Sequence, residues 1–70
     1  MDAIELTRLR RMLSLGTARL IRVEAGLSLS ELARAVGVDR GTIWRWETGR
    51  RRPRGRAAER FLTALEELSR

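Results

Sequence analysis

The amino-acid sequence predicts an all-α fold, a compact domain of about five short helices. Apolar residues recur at three- and four-residue spacing along most of the chain, which is the period of helices with one buried face. Residues that cap helix starts and glycines that end helices lie at the borders of these segments. The chain has 70 residues and one proline, so the segments fit one small domain.

The composition excludes several classes of function. The chain contains no cysteine and no histidine, so disulfides, zinc sites and the usual general base are missing. A domain of this size buries only about 60% of its unfolded surface, which leaves room for a binding surface but not for a deep pocket. We therefore expect no enzyme activity, no cofactor and no small-molecule ligand.

The N-terminus lacks a signal pattern, and no apolar run approaches the roughly 20 residues that span a bilayer. We therefore expect a cytoplasmic location and no membrane partner. The net charge is +6, and it is concentrated in one segment. Residues 40–56 hold seven arginines and one acid, whereas residues 1–39 hold six arginines and five acids. A concentrated positive segment of this kind indicates a polyanionic partner.

The first helix is predicted from about Ala3 to Leu13. Asp2 and Glu5 have the spacing of a capping box at its start. A break is expected near Ser14, whose hydroxyl can cap the next segment. The alternative is a helix that continues through Gly16, because one glycine costs only about 1 kcal/mol there.

A second helix is predicted from about Leu15 to Ala25, closed by Gly26. The stretch from Ser28 to Pro53 then has the pattern of two helices joined by a tight turn and followed by a basic tail. Either Ser28 or Ser30 can cap the first of these helices.

Gly37 ends the first helix of this stretch, and Asp39 caps the second, which extends from Arg40 to about Thr48. Helices joined by so few residues must cross steeply, and Ala33 is small enough to let them touch. We expect Trp46 to lie in the core with the first helix's apolar stripe.

The last helix is predicted from about Arg56 to Leu68, after a loop at Arg52–Gly55 that contains the proline. The chain thus divides into an N-terminal helix (1–14), a core (15–53) with the two-helix motif at 28–49, and a C-terminal helix (54–70).

Several spaced residues within Leu15 to Pro53 agree in register with a known pattern. They are Gly26-Leu27-Ser28, Glu31-Leu32-Ala33, Gly37-Val38, Thr42-Ile43, Trp46-Glu47, Gly49 and Pro53. Together they resemble the lambda-repressor-like (Xre/Cro) helix-turn-helix family of DNA-binding proteins. The resemblance implies a nucleoid-associated protein of a prokaryote or phage, with an extra N-terminal helix, that binds double-stranded DNA.

In this family the second helix of the motif lies in the DNA major groove and reads bases. The positions that read bases are matched here by Arg40, Gly41 and Arg45. Two arginines at these positions predict guanines in the binding site, while Gly41 allows close approach of helix to groove. The alternative is that both arginines contact only phosphates. Trp44 is predicted at the interface, on a thymine methyl or a deoxyribose, or else against the protein between the two helices.

The resemblance also implies phosphate contacts on both sides of the recognition helix. The residues expected to make them are Ser28, Ser30, Thr42, Thr48, Arg50, Arg51, Arg52 and Arg54. The alternative is that the four arginines form a charged segment that contacts only solvent. Leu29 replaces the glutamine that commonly clamps a phosphate in the family, so Leu29 is expected to extend the apolar surface instead.

Two further expectations follow from positions matched in the family. Arg22 and Glu47 match an interior ion pair, with two unrelated surface charges as the alternative. Leu20 and Val23 are apolar at positions where the family usually has polar residues, so we expect another part of the protein to shield them from water. We expect the leucines of the N-terminal helix to dock on them; the alternative is a second subunit.

The sequence therefore predicts a sequence-specific double-stranded DNA-binding protein, a small repressor-like transcriptional regulator. A homodimer through the N-terminal or C-terminal helix would supply the two copies that specific binding usually requires. One alternative is a phage or plasmid accessory protein, such as a recombination directionality factor or an antitoxin. Another is a basic module that binds proteins or membranes without sequence specificity.

Overall fold

The computed structural model describes residues 1–70, which form five α-helices and no strand. The helices are α1 (Ala3–Ser14), α2 (Thr17–Glu24), α3 (Leu29–Val36), α4 (Arg40–Glu47) and α5 (Gly55–Leu68). The predicted all-α fold with an extra N-terminal helix is confirmed. None of the five helices is long and apolar enough to cross a membrane.

The break between α1 and α2 differs in its chemistry from the expectation. Ser14 is the last residue of α1, and its hydroxyl donates to the Arg11 carbonyl at 3.3 Å instead of capping α2. Gly16 makes the break with a φ of +79°, a left-handed conformation that glycine adopts at little steric cost. The chain therefore turns at Gly16, and α2 begins at Thr17.

All five helices contribute to one apolar core. Its buried members are Leu9, Ala18, Leu32, Ala33, Val36, Ile43, Trp46, Ala58, Phe61, Leu62 and Leu65. The ring centroids of Trp46 and Phe61 lie 4.9 Å apart. Trp46 is only 4% exposed, so the expectation that it lies in the core is confirmed. This contact joins α4 to α5 and fixes the orientation of α4.

The expectation that α1 covers Leu20 and Val23 is wrong. Leu9 of α1 is fully buried in the core, yet Leu20 and Val23 remain 55% and 48% exposed. The reason is the helical period of about 100° per residue. Because Ala18 points into the core, Leu20 and Val23 lie roughly 200° and 140° around α2 from it, on the outer face.

The turn between α3 and α4 spans only the residues from Gly37 to Asp39. Gly37 ends α3 with a φ of +85°, as the sequence predicted. Arg60 of α5 donates from its Nε to the Val36 carbonyl at 2.8 Å, which satisfies a carbonyl at the end of α3. This bond ties the end of α3, just before the turn, to α5.

Candidate nucleic-acid interface

The two faces of α4 have opposite characters. Ile43 and Trp46 are buried, whereas Arg40 and Trp44 are exposed and Arg45 is half-buried. The apolar face anchors the helix, so the polar face has a fixed position on the molecular surface. Three of the four residues predicted to contact bases, Arg40, Trp44 and Arg45, therefore lie on the accessible side of α4.

Asp39, whose side chain was expected to cap α4, instead belongs to a polar cluster with Thr42 and Arg45. The Thr42 hydroxyl donates to Asp39 Oδ1, and Arg45 Nη2 donates to Thr42 Oγ1 at 3.2 Å. Arg45 Nη2 also lies 4.0 Å from Asp39 Oδ2. Asp39 stands at the start of α4 without capping its backbone. The three- and six-residue spacing from Asp39 to Thr42 and Arg45 was the signal that could have indicated this cluster.

Gly41 gives the Arg45 side chain room to fold back over α4. A Cβ at position 41 would lie 3.2 Å from Arg45 Nη1 and 3.1 Å from Asp39 Oδ2. The absence of a side chain therefore serves the polar cluster within the protein. Close approach to a DNA groove, the role expected of Gly41, remains a prediction.

The polar cluster also sets the local charge. The hydrogen bond from Thr42 is the main reason that the pKa of Asp39 lies below its ordinary value of 3.8, and the Arg45 charge adds to this effect. Asp39 is thus ionised at neutral pH and offsets part of the Arg45 charge. Arg45 Nε is buried without a hydrogen-bond partner, so the cluster leaves Arg45 with unused donor capacity.

Trp44 is 44% exposed and does not lie buried between two helices. The Arg50 guanidinium lies over its ring, 4.6 Å from the ring centroid. A cation at this distance is attracted by the negative face of an indole. Trp44 and Arg50 thus form one stacked unit at the C-terminal end of α4.

The arginines that follow α4 stay in solvent. Arg50, Arg51, Arg52 and Arg54 are all exposed, and none of them forms an ion pair within the protein. The backbone N–H groups of Arg50 and Arg51 donate to the Arg45 carbonyl at 2.8 and 3.3 Å, which holds the start of this segment against α4. The positive segment therefore begins directly beside the polar face of α4.

The start of α3 forms a complete capping box. Ser28 Oγ accepts from the Glu31 N–H at 3.0 Å, and the Ser28 N–H donates to Glu31 Oε1 at 2.9 Å. The bond from the Ser28 backbone N–H to the Glu31 carboxylate is the main reason that the pKa of Glu31 lies below its ordinary value, and the Ser28 side chain adds to this effect. A phosphate at this helix start would meet the Glu31 carboxylate, which weakens the expected contacts of Ser28 and Ser30. Leu29 packs against the core, as the sequence predicted.

The two threonines expected to contact phosphates use their hydroxyl protons internally. Thr42 donates to Asp39, and Thr48 donates to the Trp44 carbonyl at 2.7 Å. A phosphate oxygen accepts hydrogen bonds and cannot donate one. A phosphate contact by either hydroxyl therefore requires that its internal bond be exchanged.

Arg22 of α2 and Glu47 of α4 form a bidentate ion pair. Arg22 Nε donates to Glu47 Oε2 at 2.7 Å, and Arg22 Nη2 donates to Glu47 Oε1 at 3.0 Å. Arg22 Nη1 donates in addition to the Leu27 carbonyl at 2.9 Å. The two side chains are only 11% and 3% exposed. The pair ties α2 and the segment before α3 to the last turn of α4.

No group of three or more His, Cys, Asp or Glu side chains is placed to hold a metal ion. The chemistry available on this surface is that of arginine donors, one exposed indole and a carboxylate.

Comparison with known proteins matches the chain to a protein family. The family model described as a helix-turn-helix domain matches residues 3–68, which is nearly the whole chain. No curated protein and no solved structure matches the chain.

Proposed function

The chain belongs to the helix-turn-helix domain family, and from this premise we propose that it is a sequence-specific double-stranded DNA-binding protein. The proposal extends to a small, repressor-like transcriptional regulator. The observation that carries it is the construction of α4, whose apolar face is locked in the core while its polar face presents Arg40, Trp44 and Arg45. An exposed helix of this kind fits the major groove of B-DNA.

Arg40 and Arg45 read guanines in this proposal. Each guanidinium offers two parallel donors to guanine O6 and N7, which contributes roughly 1–3 kcal/mol of discrimination. Arg45 exchanges its bond to Thr42 for the base, and Asp39 keeps the side chain close to α4 before DNA arrives. Trp44 contacts a thymine methyl or a deoxyribose at the edge of the interface.

The exposed arginines after Gly49 bind phosphates and fix the position of the protein on the duplex. Their supporting feature is the lack of any ion pair within the protein. With about four to six phosphates neutralised per subunit, the logarithm of the association constant falls against the logarithm of salt concentration with a slope near −0.9 per contact.

Two copies of the protein bind two half-sites about 34 Å apart on one face of the DNA. A homodimer through α1 or α5 was expected from the sequence. Because α1 does not cover Leu20 and Val23, we add the outer face of α2 as the apolar surface that a second copy covers. Such a dimer would remove both side chains from water.

Selection from a random pool of double-stranded DNA, followed by sequencing, tests the proposal. We expect enrichment of two half-sites that each contain guanine, and loss of that guanine preference in Arg45→Ala. Arg19→Ala, which removes one exposed charge from α2, is the matched control and leaves the motif unchanged. A wild-type protein that enriches no motif, or an Arg45→Ala protein that enriches the same motif, would overturn sequence-specific reading by α4.

A further inference from the structure

An open groove of about 460 Å³ lies between α1 and the segment that follows α4. Arg10 and Arg11 of α1 line one side of it, and Arg51 and Arg52 line the other. The two arginine pairs are far apart in the sequence and meet only because α1 packs beside the end of α4. The groove is thus a product of the tertiary fold.

The groove holds four positive charges and no negative one. No carboxylate lines it, and none of its four arginines forms an ion pair. Arg8 on the same helix does have a partner, Glu66 of α5, at 2.6 Å. Unpaired like charges on one surface repel one another, and an anion between them relieves that repulsion. The groove therefore fits an anionic ligand.

The lining of the groove favours phosphate groups over a nucleobase. Its apolar floor includes Leu13 and Trp46, but Trp46 is only 4% exposed and offers no open face on which a base could stack. Its hydroxyl side chains are those of Thr7 and Ser14, and Ser14 already donates to a backbone carbonyl. The groove thus supplies cationic donors and little that would recognise a base.

We propose that Arg10 and Arg11 bind phosphates of the DNA backbone, in line with Arg51 and Arg52. This inference rests on the proposed DNA-binding function and deepens it, because it makes α1 part of the DNA-binding surface. Continuity along the chain favours DNA over a free phosphate compound. Only the residues between Glu47 and Arg51 separate the groove from the end of α4. A DNA strand whose phosphates pass along α4 therefore reaches the groove next.

Counterion release gives the size of the effect. Each phosphate contact contributes about 0.9 to the magnitude of the salt slope, so removal of two contacts lowers that magnitude by about 1.8. At a salt concentration of about 0.1 M this change corresponds to roughly 60-fold weaker binding, and the difference disappears on extrapolation to 1 M. The base preference stays the same, because phosphate contacts do not read sequence.

The experiment compares full-length wild type, Arg10→Ala/Arg11→Ala and Arg19→Ala/Arg34→Ala. DNA affinity is measured by fluorescence anisotropy over a series of salt concentrations, with circular dichroism and melting temperature as checks of folding. The control variant also loses two positive charges that form no ion pair, both from exposed positions outside the groove. ATP is titrated separately into wild type and the groove variant by calorimetry.

We expect the magnitude of the salt slope to be smaller by about 1.8 in the groove variant than in wild type, and to change much less in the control. If wild type binds DNA and the two variants have equal slopes, the groove assignment is wrong while the proposed function stands. If wild type binds no DNA, both fail. Saturable ATP binding that is lost in the groove variant, with no change in its DNA salt slope, would assign the groove to a free phosphate compound and overturn the DNA assignment.

Discussion

Glu47→Ala is predicted to destabilise the protein strongly, because it leaves the Arg22 guanidinium buried without its charged partner. In the wild type, two short hydrogen bonds of 2.7 and 3.0 Å join the side chains, and Arg22 is only 11% exposed. After the substitution Arg22 keeps only its bond to the Leu27 carbonyl at 2.9 Å. A neutral carbonyl does not replace a carboxylate as the partner of a guanidinium in a poorly hydrated site.

The expected loss is about 3–5 kcal/mol in the free energy of unfolding, the range for breaking a shielded pair by removing one partner. A domain of 70 residues has a total stability of only about 4–10 kcal/mol. Each kcal/mol lowers the melting temperature of such a domain by about 4–8 °C. Glu47→Ala should therefore melt at least about 12 °C below wild type.

The assay is thermal and urea unfolding followed by circular dichroism, with Glu66→Ala as the matched control. The Arg8–Glu66 pair is equally short, at 2.6 Å, but its side chains are 54% and 47% exposed. Removing a partner of an exposed pair costs under about 1 kcal/mol. A difference between the two alanine variants therefore isolates the effect of shielding from that of ion pairing as such.

A double variant distinguishes a stranded charge from lost packing. Arg22→Met/Glu47→Leu replaces the pair by apolar side chains, and we expect it to be more stable than Glu47→Ala, because no charge is left unpaired. The reasoning is refuted if Glu47→Ala unfolds within about 1 kcal/mol of wild type, or if it is no less stable than Glu66→Ala.

Three further predictions concern the exposed surface. DNA should quench the intrinsic fluorescence of wild type but not of Trp44→Phe, in which only the buried Trp46 emits; quenching retained in that variant contradicts the contact. Glu31 has a lowered pKa in the fold, so its stabilisation is complete above the ordinary value of 4.5 and is lost as the pH falls through the folded pKa. Glu31→Gln should therefore flatten the acid side of the stability profile measured by urea unfolding, and an unchanged profile would exclude Glu31 as its source. Leu20→Glu should abolish the dimer in sedimentation equilibrium and change monomer stability by less than about 0.5 kcal/mol, because the side chain is 55% exposed; a dimer that persists would move the interface elsewhere.

Local chemistry allowed much of the fold to be predicted. The capping box at Asp2, the cap at Ser28 or Ser30 and the left-handed turn at Gly37 depend on interactions within a few residues. All three features are present, and the structure selects Ser28 over Ser30 as the cap. The break near Ser14 was also predicted, but the cap that Ser14 was expected to give α2 is absent. A serine hydroxyl can cap the next helix or bond back to its own helix, and the sequence does not distinguish the two.

The α4 surface was predictable in part. The periodicity placed Trp46 in the core, whereas it left Trp44 open between the interface and a position against the protein. Neither the pairing of Asp39 with Arg45 nor the stacking of Arg50 on Trp44 was predicted from the sequence. Both contacts depend on side-chain conformations, which residue spacing permits without selecting.

The helical segments, the position of the positive charge and the family resemblance were predictable from the sequence, because each depends on residue type and spacing along one segment. The exposure of individual side chains and the contacts between distant segments depended on the tertiary structure. It left Leu20 and Val23 exposed, since burial of Ala18 rotates them outward. It also joined Arg10 and Arg11 to the arginines after α4, because distant segments become neighbours only when the helices pack around a common core.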